Sequence, residues 1–144
     1  MTEIFSKTNQ QVIEDAIKEA ERATSGEIRL HVEDHCTKNV LDRAAEVFSA
    51  LEMQRTKERN GVLFYLAIKD KQFAIIGDVG INRKMKDHYW GEIKEHLVSR
   101  FKNDEYILGL KEAILMTGIQ MKDFFPAVQD EENELMDSIS FGAS

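Results

Sequence analysis

Cysteine and proline each occur once in the 144 residues, as Cys36 and Pro126. A lone thiol excludes an intrachain disulfide and fits a reducing compartment. With no proline-rich linker, one domain is the expectation at this length. About 68% of the unfolded chain's surface can then be buried, so the core needs no staple. Long apolar runs are missing too. VLFYLAI, at 62–68, falls far short of the ~20 residues of a membrane helix. The opening MTEIFSKTNQQ lacks the apolar stretch of a signal peptide. The expectation is a cytoplasmic protein without a membrane span. Positive charge is absent from Ala127 onward, where Asp130, Glu131, Glu132, Glu134 and Asp137 stand without Lys or Arg. Those acids carry most of the formal charge of −7, so the body is near neutral. That balance argues against phosphate-backbone binding, and no nucleic-acid partner is expected. There is no P-loop, GxSxG, HExxH or EF-hand loop, and GDVGIN is not GxGxxG.

What is present is strong periodicity. Val12, Ile13, Ala16, Ile17, Ala20 and Ala23 recur at helical spacing, with Thr8 or Asn9 as the cap. EIRLHVE alternates, with Ile28, Leu30 and Val32 on one face, and predicts a strand. VLDRAAEVFSAL predicts a second helix with Leu41, Ala44, Ala45, Phe48 and Leu51 inward. GVLFYLAI is continuously apolar, as in a strand buried on both faces. After a KDK turn, QFAIIG completes a hairpin. GDVGIN reads as a loop, a third helix runs from about Asp87 to Phe101, and EYILGLKEAILMTGIQMKDFF is a fourth. The order α-β-α-β-β-α-α contains one right-handed crossover, so the first two strands are parallel and the third antiparallel. The fold class is α/β, a three-layer αβα sandwich around a small mixed sheet. Residues 1–126 form the domain. Residues 127–144 form an acidic tail, partly docked through Ile139 and Phe141.

In that topology TSGE, ERNG and GDVGIN meet at one end of the sheet. They gather Glu27, Asn60, Asp78 and Asn82, and the helix start adds Asp87. Carboxylates, amides and exposed carbonyls make an oxygen-rich set suited to a hard cation. The metal ligands expected are Asp78, Asp87, Glu27 and Asn60, and the cation is calcium, with magnesium as the alternative. The bland readings are a helix cap for Asp87, turn glycines at Gly77 and Gly80, and a solvated strand end for Glu27. The opposite end collects Glu33, Asp34, His35 and Cys36 with Asp70 and Asp104. The spacing of His31, His35 and Cys36 matches no structural zinc pattern. His31 falls on the face opposite Leu30 and reads as a helix-covered or solvated histidine. Trp90 reads as a core anchor.

TSGEIRLHV, RNGVLFYLAIKDKQFAIIGDVGI, the later Asp87 and FKNDEYILGL, in that order, resemble the TPM domain family, which includes a thylakoid lumen acid phosphatase and photosystem II repair proteins. NELMDSISFG is similar to the ending of its short, soluble bacterial members. The resemblance runs from about Val12 to Phe125, with the tail in addition. It implies an αβα sandwich, divalent-metal binding and, in some members, phosphatase activity. It maps Asp78, Asp87 and Asn60 onto motif positions. The loop GDVGIN departs from members that carry an aromatic between the glycines and an acid soon after. The function expected is divalent-metal binding in a structural or partner-binding role. A metal-dependent acid phosphatase and a metal-free interaction adaptor are the alternatives. The protein partner, if there is one, is unknown.

Overall fold

The computed structural model describes residues 3–127 and 139–142. The acids of the tail, with Leu135 and Met136, lie outside the described residues, as does the side chain of Asp87. The elements are α1 (Lys7–Arg22), β1 (Glu27–Glu33), α2 (Val40–Ala50), β2 (Gly61–Ala67), β3 (Gln72–Gly77), α3 (Val79–Lys84), α4 (Asp87–Lys102), α5 (Tyr106–Phe124) and β4 (Ile139–Phe141). A 3-10 turn at Met53–Arg55 precedes β2.

The sheet order is β3-β2-β1-β4. β1 pairs parallel with β2, from Glu27 opposite Gly61 to Glu33 opposite Ala67. β3 returns antiparallel, bringing Gly77 opposite Val62. Because side chains alternate along a strand, each face has its own core. Ile28, Leu30 and Val32 join Val62, Phe64 and Leu66 on the face covered by α1, α4 and α5. Leu63, Tyr65, Ala67 and Ala74 face α2, where they meet Ala44, Val47 and Phe48. Both faces are covered, which explains the unbroken apolar run of β2. This is the αβα sandwich that the element pattern predicts.

Local details differ from expectation. Ser6, not Thr8 or Asn9, caps α1, its Oγ accepting from the Asn9 amide at 3.2 Å. Leu41 is exposed, as is Ala45, because the inward stripe of α2 runs through Val40, Ala44, Val47, Phe48 and Leu51 and leaves both to its outer side. GDVGIN is not a plain loop. Asp78 caps the short α3, accepting the Val79 amide at 2.7 Å. A helix of six residues leaves too little periodicity to be read. Among the described residues no helix is long and apolar enough to cross a membrane.

Two helices of the outer layer, α1 and α5, meet at a glycine. A Cβ on Gly118 of α5 would lie 2.6 Å from the Ala20 Cβ and 2.8 Å from its Cα, on α1. Gly91 on α4 has nothing within 4 Å. The same substitution therefore has opposite signs at the two sites. Gly118→Ala should lose roughly 1–2 kcal/mol through overpacking, despite its gain in helix propensity. Gly91→Ala should gain roughly 0.5–1 kcal/mol. Chemical denaturation of both variants checks the pair.

Candidate functional site

The start of the parallel strands gathers residues 25–27, 59–61 and 77–82. The Asp78 amide donates to the Gly61 carbonyl at 2.9 Å, and the Gly80 amide to the Arg59 carbonyl at 2.9 Å. Gly80 is required here, since a Cβ would strike the carbonyl oxygens of Glu58 and Arg59. Arg59 itself adopts a left-handed backbone, with φ of 53°. This aims its side chain at the α3 cap. Its Nε donates to Asp78 Oδ2 at 2.7 Å and its Nη2 to Oδ1 at 2.8 Å. The fork is bidentate, the strong geometry for a guanidinium and a carboxylate. Hydrogen bonding to Asp78 raises the pKa of Arg59.

Each expected ligand can now be located. Asp78 is 6% exposed, and its two oxygens accept three N–H groups. Asn60 is 1% exposed. Its amide accepts nothing at Oδ1, which has no hydrogen-bond partner, while Nδ2 donates to Ser25 Oγ at 3.2 Å. Glu27 is buried beside Gly61. Asn82 uses its Nδ2 on the Gly77 carbonyl at 3.0 Å. Asp87 opens α4, and Trp90 one turn on packs within 3.4 Å of where a Gly77 Cβ would stand. The three loops and the helix start therefore converge. Among the described residues, no cluster of three or more Asp, Glu, His or Cys side chains could hold a metal ion. Oxygen donors are nevertheless at hand. The orphaned Asn60 Oδ1 is one, and Asp78 is another once Arg59 is displaced.

The opposite end of the sheet is built around a buried carboxylate. Glu33 of β1 accepts Arg43 Nε at 3.0 Å, a second bond from Arg43 Nη2, Tyr65 Oη at 2.5 Å and His31 Nε2 at 3.2 Å. Burial pushes the Glu33 carboxyl up, but the bonds from Arg43, Tyr65 and His31 outweigh it and hold the pKa at about 2. Burial, joined by the bond to Glu33, raises Tyr65. Burial also lowers His31, against the pull of Glu33. His35 and the Cys36 amide both bind Asp70, at 2.8 and 2.7 Å, and close the loop after β1. Asp34 pairs with Lys69 at 3.6 Å. Asp104 lies apart from them, in a groove with Ile4, Asn9 and Tyr106.

Sequence reasoning places Arg59 beside the site as a positive group for a phosphate, but misses it as the partner of Asp78 and misses Arg43 as the partner of Glu33. The signal for Arg59 is its place one residue before the Asn-Gly that opens β2. Arg43 lies one helical turn after the Asn39 cap, on a helix whose polar positions otherwise look solvated.

A family model described as the TPM domain matches residues 1–119. No curated protein gives a significant match. The NMR structure of the BA42 protein from the psychrophilic bacterium Bizionia argentinensis is similar at 40% identity and a TM-score of 0.90, covering 95% of this chain and 94% of that one. The N-terminal domain of the cg2496 protein from Corynebacterium glutamicum matches with a TM-score of 0.66 over 91% of this chain and 83% of that one. Its identity is 11%, so it shows the fold alone.

His31 and Glu33 each make the fold less stable in acid. A histidine with a lowered folded pKa contributes fully above pH 6.5 and loses that contribution as the pH falls below it. Glu33 contributes above pH 4.5 and loses it between there and about 2. Melting temperature should therefore fall in two steps, and Glu33→Gln should flatten the lower one while lowering the plateau. An unchanged profile in that variant would remove the network from the account of acid stability.

Proposed function

The chain belongs to the TPM domain family, and from that premise we propose that it binds a divalent cation, calcium before magnesium, where residues 25–27, 59–61 and 77–87 meet. The role is structural or partner-presenting. The observation that carries this reading is the Oδ1 of Asn60, buried and without a hydrogen-bond partner beside the Asp78 loop. A buried polar atom left unmatched costs about 1–3 kcal/mol, and a hard cation is a fitting partner for an amide oxygen. The residues that would hold it are Asp78, Asp87, Glu27 and Asn60. Bound calcium would supply a positive charge that ties three loops together. Asp78 joins such a set only when Arg59 releases it, so affinity is set by competition with a guanidinium already in place.

Phosphatase chemistry finds little support. Both oxygens of Asp78 are engaged by Arg59 and the α3 amide. A carboxylate so engaged neither attacks phosphorus nor activates water without first losing its fork. Hydrolysis of a generic phosphate ester should accordingly stay at background with calcium or magnesium present.

Calcium titration followed by residue-resolved amide shifts tests the site. Segments 25–28, 59–61 and 77–88 should move together, and Asp78→Asn should weaken binding more than Asp34→Asn. Shifts confined to residues 33–36 and 70 would transfer the site to the opposite end. No shift at millimolar calcium would leave the metal-free interaction adaptor as the reading.

A further inference from the structure

β4 comes from beyond the last helix and adds an edge strand to the sheet. The domain closes before it, where Thr24 pairs with Pro126 and its Oγ1 donates to the Phe125 carbonyl at 2.5 Å. Residues 127–138 intervene, and Ile139–Phe141 then pairs parallel with Leu30–Val32. The outer edge of β1 would otherwise present open backbone groups. Near its start the edge is managed from within the domain, since Glu21 Oε2 accepts the Ile28 amide at 2.7 Å. Beyond Ile28 the edge is covered by β4 and by the Gly142 amide, which donates to the Val32 carbonyl at 2.9 Å.

Two side chains of β1 restrict what can lie on that edge. His31 Nε2 faces Glu33 Oε1, and a carboxylate can only accept, so this nitrogen carries the proton. In the neutral ring Nδ1 is then an acceptor, and Ser140 Oγ stands 2.7 Å from it. A hydroxyl can donate there, whereas an alanine or valine would leave a buried acceptor unmatched. The second restriction is steric. A Cβ on Gly142 would overlap Glu33 Oε1 and come within 2.6 and 2.8 Å of its Cγ and Cδ. Glu33 cannot yield, because Arg43, Tyr65 and His31 all hold it. The other face of β4 is less exacting. Phe141 is 40% exposed and touches Phe5 edge-on with centroids 6.0 Å apart, and Ile139 packs against the main core.

We infer that the outer edge of β1 is a docking site for an extended segment lying parallel to it, with a hydroxyl residue required opposite His31 and a glycine required at Glu33. The chain's own residues 139–142 are the resident occupant. The same Ile-Ser-Phe-Gly stretch supplied in trans is the exchange ligand. Backbone bonds supply affinity in such strand addition, and the two side-chain restrictions supply selectivity. The short connection keeps the resident segment at high effective concentration, of order millimolar. A free peptide must therefore match that concentration or meet a chain whose own segment is weakened.

The test uses the full chain with Gly142→Ala, and separately with Ser140→Val. In both, amide exchange at residues 139–142 should rise at least tenfold while β1, β2 and β3 keep their protection. A peptide with the sequence of residues 137–144, DSISFGAS, added to either variant should then shift the amides of Leu30, His31 and Val32. Peptides carrying the same alanine or valine should bind about tenfold more weakly. Undiminished protection of residues 139–142 in both variants would overturn the docking rules. Equal binding of the altered and unaltered peptides would overturn the selectivity. If Gly142→Ala does not fold, Ser140→Val decides the question alone, since its side chain lies at the edge of the network and outside the core.

Discussion

Parallel pairing of β1 with β2 is the constraint from which the rest follows. A parallel pair cannot be joined by a tight turn, so the chain must cross over, and α2 is the crossover. Seven residue pairs in unbroken register then carry the starts of β1 and β2 to one end and their finishes to the other. The hairpin return of β3 adds Gly77 and Asp78 to the first end. The polar residues of four segments have nowhere else to collect.

The two ends handle a buried carboxylate in the same way and to different effect. Asp78 and Glu33 are each held by an arginine from a different segment, with the arginine partly exposed and the carboxylate buried. At Asp78 the arginine comes from the loop before β2, and the ion pair closes loop on loop. At Glu33 it comes from α2, and Tyr65 and His31 complete the coordination, so sheet and helix are fastened together. Burying a charge is tolerable only with such partners, and removing one member leaves the other stranded. The first end keeps an unmatched oxygen at Asn60, while the second turns its network outward to meet Ser140 and Gly142. One end is where we propose a cation, and the other holds a strand.

The layers were legible because they depend on periodicity. Alternation in EIRLHVE reports one apolar face and the unbroken run in GVLFYLAI reports two, and these set topology and the meeting of loops. What stayed hidden depends on side chains that meet across long separations. Arg59 reaches Asp78 only because its backbone is left-handed, and no pattern of apolar residues signals that. α3 is too short to show a period. On α2 two apolar stripes one residue apart compete, and the one through Val40, Ala44 and Val47 packs inward while Leu41 stays exposed. Of the expected ligands, the strand starts were placed by topology, but whether Asp78 is free or engaged is a matter of one arginine.

Competition between Arg59 and a cation for Asp78 is therefore the central claim, and calorimetry of calcium binding to Arg59→Gln tests it most directly. Removing the guanidinium frees Oδ2 and leaves Oδ1 with the Val79 amide alone, without substituting any proposed ligand. Calcium should bind the variant about tenfold more tightly than the parent, equivalent to roughly 1.4 kcal/mol of competition removed. Equal or weaker binding in a folded variant would mean that Asp78 serves the α3 cap alone and takes no part in holding a metal.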